Sequence, residues 1–472
     1  MSERRGLAEL RDDRKLQKRL GDALSPDRVL VRGRIPPKYR FDALRPYRPY
    51  PKLRKRGYLP TILARPESTK EVVEIIRLAR RTRVPIVPYG GGTGLMGAAI
   101  AVSGGIMVDS SMMNQIEEIS REDFLVRAQA GVVQEELYNQ LDKYELLFAH
   151  DPWTRPVATL GGAISTNSLG YLGAKYGSIG AQLLGVEAVM PDGRVLKTRP
   201  AQFSSTGLDL KRLFVGTEGT YGFVTSAVIR AFTKPECFAV AAHSFPNFEQ
   251  GFRAIWAMRA AGVGASMVDY GEENPARGAE SQLNLAFDGL KMEVDAQLAE
   301  TLEITQRFGG QKLDSNVAQE FWDHRHDIAL MYSRRVSKDL PEGEPRTKYD
   351  YIHLSLLPSK LLEFRNETLR LAKEGGVKVL EVGLWHGPEL LSLVLSSRAA
   401  NPRAAAKKLW RTSNMIIRRA QDVGGCMEFC HGVGLKLAHL MEREHGLGLE
   451  IMRQLKEAVD PLGIMNPGKA AL

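Results

Sequence analysis

Cysteine is scarce: Cys237, Cys426 and Cys430 are the only three in 472 residues. That is too few for a disulfide framework and too few for a self-contained four-thiolate cluster. Long apolar runs are missing as well. No stretch approaches the roughly 18 apolar residues that a membrane-spanning helix needs. The N-terminal MSERRGLAEL carries charges where a signal peptide requires an apolar core. A cytoplasmic protein is expected. With 43% hydrophobic and 25% charged residues, the composition suits a soluble chain of about two or three domains and excludes collagen, coiled coil and wholesale disorder.

Positive charge is concentrated at one end. The first 60 residues hold 18 Lys and Arg against 7 Asp and Glu, whereas the whole chain is +10, so the remainder is close to neutral. Between Arg28 and Arg56, Arg and Lys alternate with Pro and Tyr. Residues 1–59 read as a basic arm that packs in solvent along the body, and residues 28–56 could meet an acidic partner or a membrane surface. No zinc-finger spacing or other nucleic-acid module accompanies them, so a nucleic-acid partner is not expected.

Beyond Tyr58 the pattern is regular. TILARP reads as a strand. Ser68 with Glu71 forms a capping box that opens a helix carrying Val72, Ile75, Ile76 and Ala79 on one face. VPIVPYG follows as a buried strand. LLGVEAVM and RVLKT flank Asp192-Gly193 as a hairpin. Lys234-Pro235 marks a boundary, giving a first domain over 60–235. In the second, over 236–425, β-α-β units recur without glycine loops, which predicts an antiparallel sheet with helices on one face. Residues 426–472 are too few to fold alone and are expected to pack back onto the first domain.

Three glycine-rich loops occur in the first domain. Tyr89-Gly90-Gly91-Gly92-Thr93-Gly94-Leu95 follows a buried strand, and bare backbone of this kind lets N–H groups approach a phosphate. Gly92, Gly94 and Gly97 spell a dinucleotide fingerprint, but a strand rather than a helix comes next, so a nicotinamide fold is not expected. Thr159 to Gly177 and Phe214 to Gly222 are further long runs of small and hydroxyl residues. Three such loops in one domain suggest an extended dinucleotide lying across them.

In their order, ARPEST, PYGGGTG, TLGGAISTN with KYG, FVGTEGTYGFVT, HGVG and DPLGIMNPGK resemble the vanillyl-alcohol-oxidase-type (PCMH-type) FAD-binding oxidoreductases, in the branch of glycolate and D-lactate dehydrogenases and alkylglycerone-phosphate synthase. The resemblance spans about residues 60–472. It implies an α+β fold: a two-subdomain FAD-binding domain, a separate antiparallel-sheet cap domain, and a C-terminal segment completing the FAD site. It also implies that Tyr89, Gly90, Gly91, Gly92, Thr93, Gly94 and Leu95 cradle the pyrophosphate. Pro152, Thr159, Gly161, Gly162, Ser165, Asn167, Tyr176 and Gly177 would line the ribityl chain and ring. Gly216, Glu218, Gly219 and Val224 would support the adenine side, and Asn466 would touch the ring region. Relatives that attach the flavin covalently use a histidine near the first loop. Thr93 stands there, so non-covalent FAD is expected.

For chemistry, the family's Gly-Glu-His-Gly-x-Gly motif is altered here to Glu428-Phe429-Cys430-His431-Gly432-Val433-Gly434. The resemblance implies that His431 accepts a hydroxyl proton while hydride leaves the adjacent carbon for the flavin. Cys430 replaces the usual Glu, and Glu428 lies two positions earlier. Arg325, within WDHRH, matches a position that holds a carboxylate or phosphate. His386, with Glu389 nearby, stands where metal-dependent relatives place a histidine pair. The second histidine is missing, so no metal is expected. Tyr349 and Tyr351, ahead of IHLSLL, read either as packing aromatics or as pocket walls.

The activity implied is oxidation of a small 2-hydroxy acid or related alcohol, with its electron acceptor and any self-association left open. Two alternatives stand beside it: a flavin-dependent transferase like alkylglycerone-phosphate synthase, and a flavin subunit whose basic arm docks a partner of a multi-subunit dehydrogenase.

Overall fold

The computed structural model describes residues 15–46, 48–53, 58–275, 280–336 and 345–472. Among the described residues, two larger sheets build the N-terminal half, beside a short antiparallel pairing of Leu146–Leu147 with Phe232–Thr233. In the first, strands Ile62–Ala64, Ile106–Asp109 and Ile86–Tyr89 run parallel, and Val29–Val31 adds an antiparallel edge beside Ile62–Ala64. The second sheet is antiparallel, in the order Ile116–Ser120, Leu125–Gln129, Phe223–Arg230, Leu183–Val189, Val195–Lys197. Its last two strands are the hairpin that the Asp-Gly turn predicts.

The helix Thr69–Thr82 begins where Ser68 accepts the Glu71 N–H, and it buries Val72, Val73, Ile75, Ile76, Leu78 and Ala79. Glu71 turns away from a reciprocal cap. Its carboxylate accepts the Glu67 N–H at 2.7 Å and pairs with Arg28. That ion pair ties the basic segment down. Leu16, Leu20 and Leu24 join the same core as Ile62 and Ile76, so apolar burial and strand pairing hold much of this segment against the body.

The C-terminal half contains a seven-stranded antiparallel sheet, ordered Gln311–Lys312, Cys237–Phe245, Ser281–Gly289, Met267–Glu273, Lys378–Trp385, Leu390–Arg398, Thr347–Ser355. Alternation along the strands assigns its faces. Val382, Leu384, Leu391, Leu393, Ile352 and Leu354 belong to the large core shared with residues of helices Phe248–Ala260, Pro358–Glu374 and Pro402–Asp422. Met267, Ala286 and Trp385 cluster with Tyr171 and Trp153 of the N-terminal half. One face therefore closes the cap core and the other covers the first domain.

The final segment returns to the first domain. Met465 pairs with Ile86 in parallel fashion, and Asn466 donates its N–H to the Ile86 carbonyl at 2.8 Å.

Candidate active site

A cleft enclosing about 900 Å³, open mouth included, runs between the two N-terminal sheets. Its wall is largely glycine backbone and small hydroxyls. Tyr89, Gly90, Gly91, Gly92, Thr93, Gly94, Thr159, Gly161, Gly162, Ser165, Glu218, Gly219 and Val224 line it, joined by Asp42 from the basic segment. Tight packing demands glycine at two of these positions. A Cβ on Gly91 would lie 2.3 Å from the Val157 carbonyl oxygen, and one on Gly219, whose φ is +72°, would lie 2.6 Å from the Pro88 ring. A cleft walled by glycine backbone and small hydroxyls lets a ligand's phosphates approach the main chain closely, which suits an extended dinucleotide. Thr93, not a histidine, stands in the first loop.

Other residues expected at the cofactor lie outside that wall. Leu95 is buried, and Pro152 offers its carbonyl to the Arg155 N–H. Asn167 spends its side-chain carbonyl on Ser178 and Gly180. Tyr176 donates its hydroxyl to Asp288 and packs on Phe232, linking the two halves. Gly177 accepts from Gln182, and Gly216 donates to the Ile164 carbonyl. Asn466 donates its side-chain N–H groups to the Ala98 and Glu218 carbonyls.

Glu218 has a more specific task than its loop suggests. Its carboxylate accepts the N–H groups of Val433 and Gly434 at 2.8–2.9 Å. Burial pushes this carboxyl up to about 7, against the pull of those two N–H groups. Glu218 thereby fixes the turn that carries His431.

Around His431 a cluster forms. The His353 ring stands perpendicular to that of His431 with centroids 4.3 Å apart, and Phe429 packs on His353 from another side. Glu428 accepts the backbone N–H groups of Cys430 and His431, each at 2.9 Å, and its oxygen lies 3.5 Å from His431 Nδ1. Burial works against the Glu428 charge, but the adjacent His431 ring more than offsets this and holds the carboxyl below its ordinary range. His353 is driven the other way. Burial, then the neighbouring His431, lowers it to about 3, so its imidazole is neutral. Ser392 Oγ lies 3.3 Å from His353 Nε2.

One ligand-type atom from each of His353, Glu428 and His431 falls within 4.8 Å of the others. Two imidazoles and a carboxylate at this spacing could relay a proton or hold a divalent cation. His353 was missed at the sequence level. The available signal was alternation, which sets it on the face opposite Ile352 and Leu354.

Arg325 is already engaged. Its Nε donates to Asp151 Oδ2 at 2.8 Å, its Nη1 to the Trp322 carbonyl at 2.5 Å, and its guanidinium lies over the Trp322 ring. Asp151 also binds Arg155 at 2.9 Å and His326 at 3.0 Å. Although burial opposes its charge, His326 and the two arginines hold its carboxyl far below the ordinary range. His386 stands outside the His353–Glu428–His431 group. Both its ring nitrogens are buried and unpartnered, and burial lowers it to about 4.

Comparison with known proteins agrees with this layout. Residues 60–199 match the family model described as FAD binding domain, and residues 234–470 match that for the C-terminal domain of FAD linked oxidases. A probable mitochondrial D-lactate dehydrogenase of Danio rerio is 28% identical over 87% of this chain and 84% of its own. The alkyldihydroxyacetonephosphate synthase of Dictyostelium discoideum is 26% identical over 87% of this chain and 73% of its own. Among solved structures, p-cresol methylhydroxylase with substrate bound superposes with a TM-score of 0.78 at 15% identity, covering 97% of this chain and 96% of that one. At that identity the likeness concerns the fold.

Proposed function

The chain belongs to the FAD-linked oxidases, and on that premise we propose that this FAD-dependent oxidoreductase oxidises the hydroxyl-bearing carbon of a small 2-hydroxy acid, with His431 as the base. The glycine-walled cleft is the place for the cofactor, held by the backbone of Gly90–Gly94, Gly161 and Gly162 with Thr159 and Ser165 beside them. FAD, when bound, supplies the hydride acceptor. His431 supplies the proton acceptor. Nδ1 makes no hydrogen bond but faces the Glu428 carboxylate at 3.5 Å, and that negative charge favours the tautomer with its proton on Nδ1, which leaves Nε2 for the substrate hydroxyl. Glu428, kept ionised, then offsets the positive charge that His431 gains. The neutral His353 ring walls the other side and limits how far the His431 ring can swing.

The grouping of His431, Glu428 and His353 carries this reading. D-lactate dehydrogenase relatives support a hydroxy acid as the substrate class. A single histidine ahead of Gly432 favours oxidation over the transferase reading, which rests on a run of histidines at that position. The test is the visible spectrum of the FAD-loaded protein under anaerobic conditions during addition of 2-hydroxy acids, then of neutral aromatic alcohols. Bleaching by a 2-hydroxy acid is expected. Bleaching by neutral alcohols alone contradicts the substrate class, and no bleaching by either set contradicts the oxidation.

A further inference from the structure

Arg48 is a buried cation whose Nε donor is not met. Only 4% of its side chain is exposed, its Nε has no hydrogen-bond partner, and its ion-pair partner, Asp350, lies 3.9 Å from Nη1. That distance is too long for a hydrogen bond. Asp350 is committed elsewhere. Its Oδ1 accepts the Lys436 ammonium and the Tyr351 N–H, and its Oδ2 accepts the Ser413 hydroxyl at 2.7 Å. A guanidinium offers five N–H donors in a planar fork, and removing it from water without partners is costly. An arrangement like this suits an anion that arrives from outside.

The position of Arg48 says which anion. Residues 42–46 run from the cofactor cleft toward the edge of the cap sheet: Asp42 lines the cleft, Ala43 donates to the Gly94 carbonyl at 2.8 Å, and the Pro46 carbonyl accepts the Lys348 ammonium. At that edge the Arg48 guanidinium lies 4.2 Å from the centre of the Tyr351 ring. Tyr351 and His353, two apart in one strand, share the face that looks toward His431. The Arg48 charge is felt at His353 together with that of Lys436. Arg325, by contrast, already has Nε on Asp151 and an Nη1 N–H on the Trp322 carbonyl.

We propose that Arg48 forms the anion subsite of the active site and takes the carboxylate of the substrate whose hydroxyl meets His431. The assignment rests on the oxidation reading above for the identity of that substrate, and on geometry alone for the presence of an anion site. The guanidinium fork gives two parallel donors to a planar carboxylate, while the Tyr351 ring covers one of its faces. Part of the segment that reads as a surface arm thus becomes a wall of the substrate pocket.

Oxalate is a suitable probe because it is planar, anionic and inert to oxidation at a hydroxyl carbon; oxamide is its neutral counterpart. Each is titrated into the FAD-loaded enzyme and followed through the flavin difference spectrum. Wild type is expected to bind oxalate and not oxamide, and Arg48→Gln to weaken oxalate binding by roughly 30-fold or more. Arg48→Lys, which keeps the charge and loses the fork, is expected to weaken it by about tenfold, and it decides the matter should the Gln variant fail to retain FAD. Oxalate binding no tighter than oxamide binding in wild type overturns the subsite, as does wild-type affinity in the Arg48 variants. If Arg48-dependent oxalate binding is found but no 2-hydroxy acid bleaches the flavin, the subsite stands and the oxidation reading fails. If 2-hydroxy acids bleach the flavin with the same KM in wild type and Arg48→Gln, the oxidation reading stands and the subsite fails.

Discussion

His353 and His431 meet edge to face, 4.3 Å between ring centres, although they stand 78 positions apart in the chain. One ring comes from the edge strand of the cap sheet and the other from the turn that Glu218 fastens to the FAD-binding half. The pairing of the two rings, and with it the surroundings of the proposed proton acceptor His431, is therefore assembled only when both halves are in place.

That dependence predicts the behaviour of His353→Phe. The replacement keeps an aromatic ring in a buried site and removes both nitrogens. Flavin reduction by substrate is expected to slow by about 10- to 100-fold, with FAD still bound. Stopped-flow absorbance measures it, and an unchanged rate contradicts a role for His353 in positioning His431.

Glu218→Ala leaves the N–H groups of Val433 and Gly434 without their acceptor. Each lost buried bond costs about 1–3 kcal/mol. A lower melting temperature and faster loss of FAD on gel filtration are expected. Glu218→Gln, which keeps one acceptor oxygen, should recover part of both.

Arg325→Ala strands Asp151 with fewer partners in a buried site. Breaking a buried pair costs about 3–5 kcal/mol, so the expected effect is on thermal stability. Oxalate affinity in whatever protein retains FAD should stay within about threefold of wild type. A large loss of oxalate affinity with unchanged stability would return the anion site to Arg325.

Acid should weaken the fold through its buried histidines. Burial lowers His150 and His353 to about 3 and His243 and His386 to about 4, below the unfolded value of about 6.5. The unfolded chain then takes up protons that the folded one refuses. Stability from these groups is full above pH of about 6.5 and is lost as pH falls toward about 3. The raised carboxyls of Glu218 and Asp269, at about 7, and of Asp42, at about 6, work the other way over this range, so the histidine share is read as a difference: from pH 7.5 down to pH of about 4.5, the melting temperature of His353→Phe should fall less than that of wild type.

Much of the fold is legible from local pattern. The capping serine at Ser68, the Asp192-Gly193 hairpin and the glycine loops are short-range signals, and the order of the loops points to FAD. Residues whose task depends on distant partners are harder to read. Arg325 occupies the expected motif, but Asp151, its partner, lies 174 positions earlier. His353 looks like one polar residue in an apolar strand until the register across the sheet turns it toward His431. Arg48 sits in a basic, proline-rich stretch that resembles a surface arm, and its close approach to Asp350 and Tyr351 of the cap sheet shows only in the fold. Glu218 belongs to the right loop, but its partners, Val433 and Gly434, come from the returning C-terminal segment.

The most direct measurement is the anaerobic flavin reduction rate of His431→Ala beside wild type, with FAD content matched and a bleaching 2-hydroxy acid as substrate. With the base removed, the rate should fall by about 10²- to 10⁴-fold while the bound-flavin spectrum before substrate is unchanged. Reduction at the wild-type rate would contradict the assignment of His431 as the base.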